Sequence, residues 1–237
     1  MPKFLRVFSL GFISITLLQP IYCRAIDLLP NDIVAPQPDK NYLMLSYYDT
    51  ENTNYIKNGS IISRVPYGSP VIDSPIGVLR LSHTYDINSL PAVSYVQLPY
   101  GTVSPAGSLG AYAHSTGIGD TTLTTAIWPY ANRETRTYLG IAAYLILPTG
   151  AYSSSQAFNM GANRYTSDIQ MGFQKPILDN LDGMIAVDRM WFGGNSQCGA
   201  ACGSITNVPL TQKPLTTTQL GPIYKINQIY TGGASYL

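Results

Sequence analysis

Apolar and polar residues alternate along most of this chain with period two, the pattern of strands whose two faces meet unlike surroundings. From Ile76 to Ile87, Leu79, Leu81, Tyr85 and Ile87 share one face with His83 among them, and Val78, Arg80, Ser82, Thr84 and Asp86 share the other. Between Thr137 and Leu147, Leu139, Ile141, Ala143, Leu145 and Leu147 oppose Tyr138, Gly140, Ala142, Tyr144 and Ile146. Thr166 to Lys175 sets Ile169, Met171 and Phe173 against Asp168, Gln170, Gly172 and Gln174. Leu181 to Trp191 sets Ile185, Val187 and Trp191 against Asp182, Met184, Ala186 and Asp188, with Arg189 interrupting the apolar face near the end. Weaker strands are predicted at 42–49, 92–98, 121–128, 215–224 and 225–236. No convincing helical stripe occurs, so the chain is expected to be all-β, with nine or ten strands.

Connector lengths add a second signal. From residue 99 they alternate: Pro99–Thr116 is long, Pro129–Thr135 short, Pro148–Tyr165 long, Pro176–Asn180 short and Gly193–Ser204 long. Short turns on one side and long loops on the other are the pattern of an antiparallel outer-membrane-type β-barrel. Before residue 99 the alternation fails: Asp49–Gly59 is long, but Asp73-Ser74-Pro75 and Asn88–Pro91 both read as short. Either a strand is miscounted there or a segment folds inside. Ile26–Asn41, with Pro30, Pro36 and Pro38, reads as an ordered lead-in without secondary structure. A soluble β-sandwich also alternates and stays open as a reading. The barrel is favoured by longer strands, sparse charge on the apolar faces, and tyrosines near strand ends (Tyr130, Tyr165, Tyr224, Tyr230).

Composition sharpens this picture. Of 237 residues, 45% are hydrophobic and 11% charged, against about 25% charged in an average soluble domain. A net charge of +1 leaves no surplus for neutralising phosphates, which argues against nucleic acid as a partner. Lys3 and Arg6, the apolar run Val7–Leu18 and Cys23-Arg24-Ala25 have the layout of a secretory signal peptide over 1–25, cleaved after Ala25. No later window holds 18 apolar residues, so a mature chain in a membrane crosses it with strands. The expected organisation is a signal peptide (1–25), a Pro-rich lead-in (26–41) and a barrel domain (42–237) that ends short at Tyr236-Leu237, without an aromatic terminal strand.

Candidate chemistry is thin. His83 falls on the apolar face and His114 in a loop of small residues, and neither stands in a nucleophile motif. Glu51 and Glu134 lie in connectors. The candidates for a lumen lining are Arg80, Asp86, Tyr138, Tyr144, Asp168, Gln170, Asp182 and Asp188, all on polar faces. They make either a hydrogen-bonded interior or a constriction selecting by charge and size. Inward Gly140 and Gly172 leave room that Tyr138 and Tyr144 could fill. Cys198 and Cys202 sit in a glycine-rich loop. In an exported chain they read as a disulfide, because a metal site needs four ligands and no histidine is near in sequence. Asn58-Gly59-Ser60 reads as an ordinary turn. No metal, cofactor or catalytic residue is expected.

Several blocks occur in a telling order. They are the lead-in with Pro30, Pro36, Pro38 and Asn41, then Gly77–Thr84, Leu98-Pro99-Tyr100-Gly101, and Thr116-Gly117-Ile118-Gly119-Asp120. Trp128, Leu147-Pro148-Thr149-Gly150, Asn159, Gly161-Ala162-Asn163-Arg164 and Tyr165 follow. Over roughly 30–224 the chain resembles the bacterial family named for a putative meta-pathway of phenol degradation. The resemblance implies a bacterial outer-membrane β-barrel that contacts outer-membrane lipid and passes small aromatic or hydrophobic compounds, and not an enzyme. It marks Gly117, Gly119, Asp120, Pro148, Thr149, Gly150 and Asn163 as motif positions. The alternative function is a non-transporting barrel, or a secreted β-sandwich surface module, that binds a partner through its long loops.

Overall fold

The computed structural model describes residues 28–29, 31–53, 56–57, 60–61, 68–225 and 231–233. The expected signal peptide, Pro30, the Asn58-Gly59 turn, Tyr230 and the Tyr236-Leu237 end lie outside them. In chain order the strands are β1 (Lys40–Asn52), β2 (Ile56–Lys57), β3 (Ser60–Ile61), β4 (Pro70–Ile87), β5 (Leu90–Gly107), β6 (Ser115–Ile118) and β7 (Thr121–Asn132). Then follow β8 (Thr137–Leu147), β9 (Thr166–Leu178), β10 (Leu181–Phe192), β11 (Asn195–Cys198), β12 (Val208–Leu210), β13 (Leu215–Lys225) and β14 (Thr231–Gly233). Among the described residues there is no α-helix, only a 3-10 turn at Ala200–Cys202.

One ten-stranded sheet organises the chain, in the order β1-β4-β5-β7-β8-β9-β10-β13-β14, with β6 added to β5. Each consecutive pair is antiparallel. The connectors β4–β5, β7–β8 and β9–β10 are short, and those entering β4, β7, β9 and β13 are long, so the alternation runs through the whole sheet. The β4–β5 turn is Asn88-Ser89, both at positive φ (49° and 66°), the conformation that suits a two-residue hairpin.

Two connectors expected from the sequence are in fact strand. Asp73-Ser74-Pro75 lies inside β4, with Asp73 opposite Ser104 and Glu51. Pro99 does not end its strand, because β5 runs on to Gly107 against β4. Local turn composition is overridden here by a long hairpin that supplies ladder partners on both sides. The strand expected to stop at Trp128 continues to Asn132 through a register shift between Ile127 and Tyr130.

Burial is inverted relative to a water-soluble sheet. Along β9, Asp168, Gln170 and Gln174 are buried, while Ile169 is 53% and Met171 52% exposed. Along β10, Asp182 and Asp188 are buried and Ile185 and Val187 exposed. An apolar face of this extent costs about 25 cal/mol per Å² in water, and hydrocarbon removes that cost. A sandwich core has the opposite arrangement, so the fold is a curled antiparallel sheet of the outer-membrane type, with β1 and β14 at its two ends. Exposed Tyr47, Tyr100, Tyr165 and Trp191 lie towards the long-connector side, and Tyr130 and Tyr224 towards the short-turn side, as interfacial girdles do.

The sheet curls around its own lead-in. Residues 28–29 and 31–39 form no strand, yet they bond to β4, β7 and β13 and pack on β9. Strands so far apart in the sheet order meet one segment only if the sheet is wrapped about it. Ile33 and Ala35, at 4% and 1% exposure, are buried with Trp128, Tyr138, Met184 and Ile223 in the interior cluster.

Candidate functional site

The interior is built in rows of residues paired across strands. Tyr144 of β8 lies opposite Asp168 of β9, which lies opposite Met190 of β10. One row further, Ala142, Gln170 and Asp188 align with Thr217 of β13. Polar side chains satisfy one another along these rows, as burial demands. The Tyr144 hydroxyl donates to Gln170 Oε1 at 2.9 Å, and Gln174 Nε2 donates to Asp182 Oδ2 at 3.0 Å. Arg136 pairs with Asp182 at 3.2 Å, and Thr217 donates to Asp188. Asp168 differs: neither carboxylate oxygen has a hydrogen-bond partner among the described residues. Tyr138 is buried on the same inner wall. Asp86 shares the inner parity but is exposed beside the Asn88-Ser89 turn, so it stands at the rim and not in the lumen.

The lead-in occupies the short-turn half of this interior. Trp128 Nε1 donates to the Ile33 carbonyl at 2.7 Å. Gln219 clasps Leu28 from both sides, accepting from its N–H at 3.0 Å and donating to its carbonyl at 2.9 Å. Arg133 donates to the Pro36 carbonyl and Thr84 to that of Gln37. The two inward glycines are crowded by neighbouring segments. A Cβ on Gly172 would stand 3.0 Å from Ile33 Cδ1, and one on Gly140 would stand 3.1 Å from Trp128 Nε1. Their room is taken by the lead-in and by the indole that holds it. Replacing Trp128 with Phe leaves the buried Ile33 carbonyl without its donor. We expect a loss of about 1–3 kcal/mol, read as a lower unfolding midpoint in detergent.

Two cavities lie against the lead-in and the inner wall. One of about 450 Å³ lies between residues 28–36 and the inner wall. The other, of about 260 Å³, lies towards the long loops beside Tyr48, Gln97 and Thr122. Arg80, Tyr95 and Tyr144 line both, so this layer is the joint between them. Arg80 Nε donates to Gln97 Oε1 at 3.1 Å, and its guanidinium lies 4.5 Å from the Tyr95 ring centroid. Asp32, in the lead-in, accepts from the Leu29 N–H at 2.8 Å. Burial pushes the Asp32 carboxyl up, opposed by that hydrogen bond and by Arg80.

The motif residues gather in one knot on the long-loop side. Asp120 accepts from Gly150 N at 2.9 Å with one oxygen and from Ala162 N at 2.8 Å with the other. Thr149 accepts from Thr121 N at 2.9 Å and donates to its hydroxyl, and Pro148 precedes it at the strand exit. Gly117 takes φ 151°, and a Cβ on Gly119 would strike Pro99. Asn163, at φ 52°, donates to Asn195 Oδ1 at 3.0 Å. These positions hold loops together and stand apart from the lumen layer.

Cys198 and Cys202 form a disulfide. Its loop rests on the 148–165 connector, with Ala200 N donating to Ser154 O at 2.8 Å and the Tyr152 hydroxyl to Gln197 O. The closed ring is small, so we expect Cys198→Ser/Cys202→Ser to cost no more than about 2 kcal/mol. Hydrogen exchange should quicken at 195–204 and stay unchanged in the lumen strands.

His83 lies on the outer face. Its Nδ1 shares a hydrogen bond with Asn41 Oδ1 at 2.9 Å and its ring stacks on Tyr85, while His114 is exposed in a loop. Tyr95, Gln97, Asp32 and Gln219 were not singled out from the sequence. The parity of the weak strand 92–98 could have found Tyr95 and Gln97. Nothing local marks Asp32 or Gln219.

The inverted sheet, polar rows and filled interior define a curled antiparallel sheet with an apolar outer face and a polar inner one. The family described as Putative MetA-pathway of phenol degradation matches residues 52–227, and the chain belongs to it. In structure the chain is similar to the crystal structure of the COG4313 outer membrane channel from Pseudomonas putida F1, with a TM-score of 0.77 and 25% sequence identity. The match covers 89% of this chain and 79% of that one. No curated protein matches the sequence.

Proposed function

We propose that this chain is exported by residues 1–25, inserts in the outer membrane as a barrel over 42–237, and acts as a passive channel for small aromatic or hydrophobic solutes. The observation that carries this reading is the pair of interior cavities meeting at Arg80, Tyr95 and Tyr144 inside a sheet whose outer face is apolar. Family membership and the likeness to an outer membrane channel support it. Arg80, Tyr138, Tyr144, Asp168, Gln170, Asp182 and Asp188 form the polar wall that a solute meets, and Asp86 stands at its entrance. The lead-in narrows the short-turn half, so flux is small until that segment shifts. The inner-wall carboxylates serve the wall and not catalysis.

Fractionation tests the placement. The protein is expected with the outer membrane, as a band that shifts on boiling, and liposomes carrying it should take up benzyl alcohol faster than empty ones. A soluble periplasmic band with no shift would sink the channel reading in favour of a surface module.

A further inference from the structure

Arg80 is the cation at the joint between the two cavities, and the binding edge of its guanidinium is open. The β4 register places it opposite Gln97, on the inner face. The bond from Nε to Gln97 and the Tyr95 ring at 4.5 Å hold the plane of the group. Neither Nη1 nor Nη2 has an acceptor among the described residues. Asp32 is close enough to interact electrostatically but makes no ion pair with Arg80, and its carboxylate is turned to the Leu29 N–H.

The surroundings describe the molecule that would fit. Two parallel N–H donors of a fixed guanidinium match a carboxylate. Beside them, Tyr95 and Tyr144 line a cavity of about 450 Å³ together with apolar Leu28, Ile33 and Val93. That volume falls in the range of small-molecule sites, which combine an apolar lining with a few placed polar groups. We propose that Arg80, Tyr95 and Tyr144 form a binding station for small aromatic carboxylates, the carboxylate on the Arg80 Nη edge and the ring against the tyrosines. As a transport station this rests on the channel reading and names its solute class.

The test uses the full chain in detergent, with calorimetric titration of benzoate, benzyl alcohol and benzylamine. A charge-assisted pair contributes about 1.5–3 kcal/mol, which is about 10- to 100-fold in affinity. Benzoate is therefore expected to bind at least tenfold tighter than benzyl alcohol, with benzylamine weakest. Arg80→Gln should abolish the preference for benzoate over benzyl alcohol. Arg80→Lys should retain part of it, because a lysine offers charge without the two-pronged edge. Both variants are to be confirmed as folded by their shift on boiling. Equal binding of benzoate and benzyl alcohol, no benzoate binding, or full benzoate affinity in folded Arg80→Gln would overturn the station. Conductance separates the two readings: an ion-conducting protein blind to benzoate loses the station and keeps the channel, and a benzoate binder without conductance does the reverse.

Discussion

Excising residues 28–38 from the otherwise intact chain should raise its conductance several-fold. The segment fills the short-turn half of the interior. It is held by Trp128 on the Ile33 carbonyl, by the two-sided Gln219 clasp on Leu28, and by Arg133 and Thr84 on the Pro36 and Gln37 carbonyls. No strand hydrogen bond of the barrel runs through it, since β1 begins at Lys40 and pairs with β4 from Thr84 onward. The wall therefore survives the excision, and the space of Ile33 over Gly172 becomes aqueous. Gly172→Leu should act in the same direction with smaller amplitude, because its side chain displaces Ile33 but refills part of the gap. Single-channel recording reads both. Unchanged conductance in the excised protein would mean that the lead-in does not limit the path.

Asp120→Ala should be the most damaging single substitution in the long-loop half. One carboxylate serves two backbone N–H groups, of Gly150 and Ala162, which sit 30 and 42 residues away along the chain. Hydrogen bonds to a charged acceptor contribute about 1.5–3 kcal/mol each, so the loss is expected at about 3 kcal/mol or more. Asp120→Asn should recover only about half, since its single carbonyl oxygen accepts and its NH2 then faces a donor. The knot has no slack to absorb the change: Gly150 and Gly161 pack so closely that a Cβ on Gly161 would stand 2.7 Å from the Gly150 carbonyl carbon. Urea unfolding of the inserted protein measures the effect, and a cost under about 1 kcal/mol, the net value of one neutral hydrogen bond, would contradict this account of the motif.

Strand faces were the legible part of the molecule. Period two located β8 residue for residue and set the two faces of β9 and β10, because a sheet between hydrocarbon and a polar interior imposes strict alternation on each strand. Asp73-Ser74-Pro75 was misread because turn propensity is local, whereas its ladder partners lie about thirty residues away in β5 and over twenty in β1. Arg80 could be placed in the interior from parity alone, and Asp120 stood out as a motif position. The open Nη edge of the first and the donors of the second arise only when distant segments meet. The sequence places the lead-in at 26–41, whereas β1 already begins at Lys40. Its position inside was not legible, since the Leu28–Gln219 contact spans 191 residues and no local pattern encodes it. The inward glycines read as room that Tyr138 and Tyr144 could fill, whereas the side chains nearest them are Ile33 and Trp128, on other segments.

The most direct measurement is single-channel recording of the full chain in a planar bilayer, with insertion verified by the shift on boiling. A plugged channel predicts discrete, infrequent openings of low conductance that become frequent and larger when residues 28–38 are removed. An inserted barrel that stays electrically silent both with and without the lead-in would contradict the channel and leave a non-transporting barrel in its place.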